Sequence, residues 1–143
     1  MRPDRAQVFM RIARELSQLG TCERAQVGAI IVKNGRCISW GYNGAPPGLP
    51  HCGENNHGYG MMAAVNGCKN ATHAEANALA AAARQGISTD AAHLFVTLSP
   101  CEVCARLLIA AGIARVSVME MYRERAGMEL LQEAGVVTTI VHP

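Results

Sequence analysis

Two short runs carry side chains that could do chemistry together: His73-Ala74-Glu75 and Pro100-Cys101-Glu102-Val103-Cys104. They offer one imidazole, two thiols three residues apart, and a carboxylate two residues from the imidazole. Three protein donors with a fourth position open make a catalytic zinc site, whereas a structural zinc takes four protein ligands. Zinc lowers the pKa of a bound water from about 15.7 to about 7. Glu75 can reach such a water without being a ligand. One carboxylate can then take its proton and hand protons on to a ring nitrogen and a departing amine. Hydrolysing an amidine carbon at neutral pH needs this set. Each part alone says less. Cys-x-x-Cys also serves as half of a structural zinc site or as a redox pair, a histidine at a helix start is more often a cap or core residue, and Glu75 suits the dipole of a first turn. The combination, in this order and separation, is what is specific.

The surrounding pattern supplies elements to position these groups. An alanine-rich helix is predicted over 73–85, ending at Gly86. A second is predicted over 102–111, with Ser99 as N-cap, Pro100 in the first turn and Gly112 closing it. Two cysteines three apart at a helix N-terminus can face one metal, and the helix dipole favours their thiolate form. Residues 93–98, 115–119 and 136–141 read as strands, and 125–134 as a helix closed by Gly135. Earlier, 27–33 and 37–42 form a hairpin around Asn34-Gly35. Before that, Val8, Ile12, Leu16 and Leu19 recur at helical spacing, which predicts an amphipathic helix over 4–19 stopped by Gly20. The stretch 43–72 is rich in Gly, Pro, Asn and His. A loop of this length in a compact domain usually means function, the alternative being a plain surface loop; a short helix is expected around 61–65. Strands alternating with helices after an opening hairpin predict a mixed sheet of about five strands with helices on both faces. That is a three-layer α/β/α sandwich, in a single domain spanning 1–143.

The bulk composition sets limits. The chain has 143 residues, 50% hydrophobic and 17% charged, as in a compact folded domain. A formal charge of +2 does not point to a nucleic-acid partner, although a small anionic substrate needs only one or two placed cations. No apolar run approaches the roughly 18 residues that span a bilayer. The start, Met1-Arg2-Pro3-Asp4-Arg5, leads into no apolar signal segment, so a cytoplasmic location is expected. In that setting the six cysteines favour metal binding over disulfides.

The pattern His-x-Glu followed by Pro-Cys-x-x-Cys is the known signature of zinc deaminases. At these residues the sequence resembles the deoxycytidylate (dCMP) deaminase family, especially its bacterial and phage members. The likeness runs through Thr21-Cys22, Val27-Gly28-Ala29-Ile30-Ile31-Val32 and Gly41-Tyr42-Asn43-Gly44-Ala45-Pro46. It continues through His73-Ala74-Glu75-Ala76-Asn77-Ala78-Leu79, Thr97-Leu98-Ser99-Pro100-Cys101, Ala111-Gly112-Ile113, Tyr122-Arg123 and Ala134-Gly135-Val136. The resemblance implies a cytidine-deaminase-like fold and the conversion of dCMP and water to dUMP and ammonia. In many members it also implies a homohexamer activated by dCTP and inhibited by dTTP.

Further roles follow from the resemblance. Asn43 would contact the sugar or base of the substrate, beside Ala74 and Ser99 in the matching segments; a simple turn residue is the alternative for Asn43. Gly41 and Gly44 would let backbone approach a nucleotide closely, or serve ordinary turns. The phosphate needs cations or backbone donors, and Arg24 and Tyr122 lead the candidates ahead of Arg123. Arg84 could face a neighbouring subunit or an effector. Cys22 and Cys52 fall where some relatives bind a second, structural metal, and Cys68 with His51 or His57 could complete it. Here Glu54-Asn55-Asn56-His57 stands where a further cysteine often lies. Free buried thiols are the alternative, and Cys37 is expected to be one. Competing activities are a nucleoside cytidine deaminase, which usually has cysteine at the His73 position; a tRNA adenosine deaminase; a guanine or pterin deaminase; and an enzyme for dCMP modified at C5. A catalytically silent zinc protein is the alternative outside enzymes, and the presence of Glu75 argues against it.

Overall fold

The computed structural model describes residues 1–22, 25–51 and 71–143. The chain opens with helix α1 (Arg5–Ser17), followed by the hairpin β1 (Gly28–Lys33) and β2 (Arg36–Tyr42). Then come α2 (Ala74–Arg84), β3 (His93–Leu98), α3 (Glu102–Ala110), β4 (Arg115–Glu120), α4 (Ala126–Glu133) and β5 (Val137–Ile140). Asn34 and Gly35 both have positive φ, 53° and 73°, which is the backbone of the tight hairpin turn that Asn-Gly favours.

The sheet has five strands in the order β2-β1-β3-β4-β5. β1 is antiparallel to both β2 and β3, while β3, β4 and β5 run parallel. β2 and β3 therefore point the same way, and the carboxyl ends of β2, β3 and β4 share one end of the sheet. In open α/β sheets that end is where ligands bind. This mixed sheet with helices on both faces is the architecture expected from the sequence.

Alternation along the strands divides the core. Ala29, Ile31, Leu94, Val96, Val116 and Val118 face α2, α3 and α4, whose Ala78, Ala105, Leu108, Met128 and Leu131 complete one apolar layer. Ile30, Val32 and Phe95 face the other way, onto Met10 and Ala13 of α1. Phe95, only 2% exposed, contributes about 2–3 kcal/mol by its burial. The apolar face expected for α1 is corrected here. Helix α1 buries Met10 and Ala13 with Phe9 and Leu16 packed beside them, while Ile12 is 40% and Leu19 53% exposed. Two apolar stripes share this helix, and tertiary packing selects between them. Among the described residues, no helix is long and apolar enough to cross a membrane. The short helix expected around 61–65 lies outside the described residues.

His93 in β3 occupies an unusual place on the α1 side of the sheet. Its ring stacks on Phe95 at 4.0 Å, and its Nε2 lies 2.7 Å from Ser117 Oγ, itself 2.6 Å from Thr139 Oγ1. Burial, with Arg115 nearby, lowers the His93 pKa to about 4. The unfolded chain binds that proton near pH 6.5. The stabilisation by neutral His93 is thus present above pH 6.5 and lost as the pH falls towards 4. A loss on the order of 1 kcal/mol is expected for this partly exposed ring. Melting curves of wild type and His93→Gln should converge over that range; parallel curves would sink the assignment.

Candidate active site

The ends of β2, β3 and β4 bring two helix starts together. His73 is the N-cap residue of α2 and Cys101 the N-cap residue of α3, with Cys104 one turn further on. The expected cap at Ser99 is corrected: the Cys101 sulfur itself accepts the Cys104 backbone N–H at 3.4 Å. Ser99 instead joins strand ends. Its N–H donates to Glu120 O at 3.0 Å, and its Oγ accepts from Tyr122 N–H at 2.7 Å. Backbone bonds between Gly44 and Thr72 at 2.8 and 3.0 Å fix the approach to α2. Asn77 Nδ2 reinforces this by donating to Tyr42 O at 2.7 Å and Thr72 O at 3.2 Å.

The result is a compact donor cluster. His73 Nδ1 lies 3.5 Å from Cys101 Sγ and 3.4 Å from Cys104 Sγ, and the three donor atoms all fall within 4.8 Å of one another. Tetrahedral zinc, with Zn–S of about 2.3 Å and Zn–N of about 2.0–2.1 Å, places such N and S donors about 3.5 Å apart. The donor set therefore fits the metal in both chemistry and spacing. Hydrogen bonds from the Cys104 side chain and from His73 lower the Cys101 pKa to about 3. As the donor in the first of these, buried Cys104 is pushed up. The hydrogen bond between His73 and Cys101 raises the His73 pKa. Zinc binds cysteine as thiolate, so a bound cation would displace a thiol proton.

Glu75 stands in the first turn of α2, only 4% exposed, with its carboxyl beside the Cys104 thiol. Burial pushes its pKa up to about 7. A carboxyl poised there both accepts and returns a proton at neutral pH. His73 and Cys101 are exposed while Cys104 and Glu75 are buried, so the cluster opens outward with the acid behind it.

Other sequence-based candidates are placed more variously. Ala74 is fully buried at the start of α2. Asn43 is only 6% exposed, and backbone engages both ends of its amide: Oδ1 accepts from Val27 N–H at 2.8 Å, and Nδ2 donates to Ala25 O at 2.6 Å. It ties the entry to β1 onto the end of β2. Gly44 is buried beside the Tyr42 ring, and Tyr122 is 41% exposed just beyond β4. Arg84 is exposed in the last turn of α2, at the opposite end from His73. Cys22 is a buried free thiol; its neighbour Thr21 places Oγ1 3.2 Å from His51 Nδ1. Arg24, Cys52, His57 and Cys68 lie outside the described residues. Cys37 is free but exposed, which corrects its expected burial; its thiol donates to Ser39 O at 3.5 Å. Sequence reasoning missed Gly127, whose backbone abuts Pro100 and Cys101. A glycine inside a helical run is the one signal that could have marked it.

Residues 3–120 match the family described as the cytidine and deoxycytidylate deaminase zinc-binding region. The chain is 39% identical over 127 residues to the deoxycytidylate deaminase of Mycobacterium phage D29, covering 80% of this chain and 94% of that one. It is 37% identical over 131 residues to ComE operon protein 2 of Bacillus subtilis, covering 91% and 67% respectively. Among solved structures it superposes on the dCMP deaminase of cyanophage S-TIM5 in complex with dCMP and dUMP. That match has a TM-score of 0.84, 35% identity and 99% coverage of both chains.

Proposed function

The chain belongs to the cytidine and deoxycytidylate deaminase family of zinc-type deaminases, and on that premise we propose that it converts dCMP and water to dUMP and ammonia. The observation that carries this reading is the His73, Cys101, Cys104 cluster backed by buried Glu75, in a fold shared along its length with an enzyme solved with dCMP and dUMP. His73, Cys101 and Cys104 would hold zinc. Bound there, zinc would acidify water enough to supply the nucleophile at neutral pH.

Glu75 does the remaining proton work. It accepts the proton that the attacking water gives up and delivers it to the ring nitrogen of the cytosine. The second proton goes the same way, to the amine as it departs, so the carboxylate is regenerated. Its burial keeps bulk water from competing for those protons. Ala74, Ser99 and Asn43 are assigned to the base and sugar, with the Asn43 amide held by Ala25 and Val27; Arg24 and Tyr122 are assigned to the phosphate. Family likeness extends the proposal to a homohexamer with dCTP as activator and dTTP as inhibitor, with Gly44 and Arg84 towards an effector or neighbouring subunit. A single catalytic domain and a cytoplasmic setting, expected from length and composition, complete the proposal. A second metal held by Cys22, Cys52 and Cys68 belongs to the same reading.

The test is loss of cytosine absorbance with dCMP, run beside CMP, deoxycytidine, dCTP and AMP as substrates. Turnover of dCMP alone is expected, with added dCTP raising the rate at low substrate. Turnover of another compound in preference to dCMP would overturn the substrate. A hyperbolic curve indifferent to dCTP would remove the regulation and leave the chemistry standing.

A further inference from the structure

Two glycines stand where each metal-bearing helix start meets a neighbouring backbone. Gly41, near the end of β2, lies under the first turn of α2. A Cβ built on it would sit 2.5 Å from Ala74 O, 2.6 Å from Ala78 N and 3.0 Å from Asn77 Cβ. Gly127, in the first turn of α4, lies against the peptide before α3. A Cβ there would collide with Pro100 O and sit 2.8 Å from Cys101 C and 2.9 Å from Cys101 O. Neither glycine has positive φ, so neither is needed for an unusual conformation. An ordinary helix prefers alanine to glycine at a position such as 127. What these sites demand is space. At Gly127 the three nearest obstacles are all backbone, and at Gly41 the two nearest are, so no flexible side chain can swing aside.

The contacts touch the ligands themselves. Gly127 presses on the carbonyl of Cys101, and Gly41 on the carbonyl of Ala74, which lies between His73 and Glu75. His73 Nδ1 and the two sulfurs are 3.4–3.5 Å apart, so a shift of a few tenths of an ångström at either helix start changes the donor triangle. From this we infer that Gly41 and Gly127 are positioning residues, setting from opposite sides the distance between the His73–Glu75 turn and the Cys101–Cys104 turn. The inference rests on the metal reading of that cluster.

The test uses cobalt(II) in place of zinc, because its visible spectrum reports the number and geometry of sulfur ligands independently of turnover. Gly41→Ala and Gly127→Ala are compared with Leu131→Ala, which weakens the packing of α4 without adding an atom near Cys101. Each glycine variant is expected to bind the metal about 10–100-fold more weakly, the range seen when groups that orient ligands are altered. Each should also show altered sulfur-to-cobalt bands. Leu131→Ala should melt earlier yet keep the wild-type spectrum and affinity. Glycine variants with wild-type spectra and affinities would overturn the inference, as would a Leu131→Ala spectrum that shifts equally. If one glycine variant fails to fold, the other still decides, since each presses on a different helix start. Should the wild type itself take up no cobalt, the metal reading fails, a result distinct from failure of the positioning role.

Discussion

Replacing Glu75 with glutamine is expected to leave the metal in place and lower turnover about 10²–10⁴-fold, the usual weight of a positioned acid–base group. The amide matches the carboxyl in shape, so the 4%-exposed site keeps its packing. What the amide lacks is a basic oxygen able to hold a proton and give it back. Burial already disfavours the charged form of Glu75, raising its pKa to about 7. A neutral isostere removes that cost, and Glu75→Gln should melt no lower than the wild type above neutral pH. Metal content, kcat and melting temperature measured on one preparation separate these effects. Turnover within tenfold of wild type would remove Glu75 from the proton path. Loss of metal together with activity would instead make it a supporting group of the cluster.

Cys104→Ala is expected to act the opposite way, losing metal and turnover together. Cys104 is buried, and its sulfur lies 3.4 Å from His73 Nδ1. Removing it leaves two donors where a catalytic zinc takes three. With equimolar zinc, the bound fraction should fall below about one tenth, with turnover following it. Prolonged chelation of the wild type should reproduce the loss, and added zinc should reverse it in the wild type alone. Zinc takes cysteine as thiolate, and burial with the bond to Cys101 pushes the Cys104 thiol up. Reloading should therefore release protons, which an indicator dye in weak buffer would record. Full activity in zinc-free Cys104→Ala would overturn the whole reading.

The cluster of donors and the buried carboxyl beside it were legible because their constraints are local. The motif sets which residues lie within one turn of a helix start, and helix geometry does the rest. The hairpin was legible for the same reason, since Asn34-Gly35 meets a backbone requirement within two residues. Which apolar stripe of α1 faces the sheet was not, since of the expected four only Leu16 packs on that core. Val8, Ile12, Leu16 and Leu19 have helical spacing, yet so do Ala6, Phe9, Met10 and Ala13, and only contact with Ile30 and Phe95 chooses between them. The cap at α3 moved from Ser99 to Cys101 because Ser99 is held by Glu120 and Tyr122, partners more than twenty residues away. Gly41 was read as room for a nucleotide, and the structure spends that room on α2. Close approach between distant segments leaves no periodic trace, so Gly127 carried no pattern that pointed to Cys101.

The route of the chain between the donors has a consequence for the polymer itself. His73 and Cys101 are 28 residues apart, and the whole of α2 and β3 lies between them. An ion bridging them acts as a reversible cross-link around a central strand of the sheet. Because the unfolded chain lacks the assembled donors, an ion held only by the folded form would stabilise it by mass action, about 2.7 kcal/mol at a hundredfold excess over Kd. The ion that would serve the chemistry would thus also act as a clasp on the fold, and removing it would weaken the segment that builds the middle of the sheet.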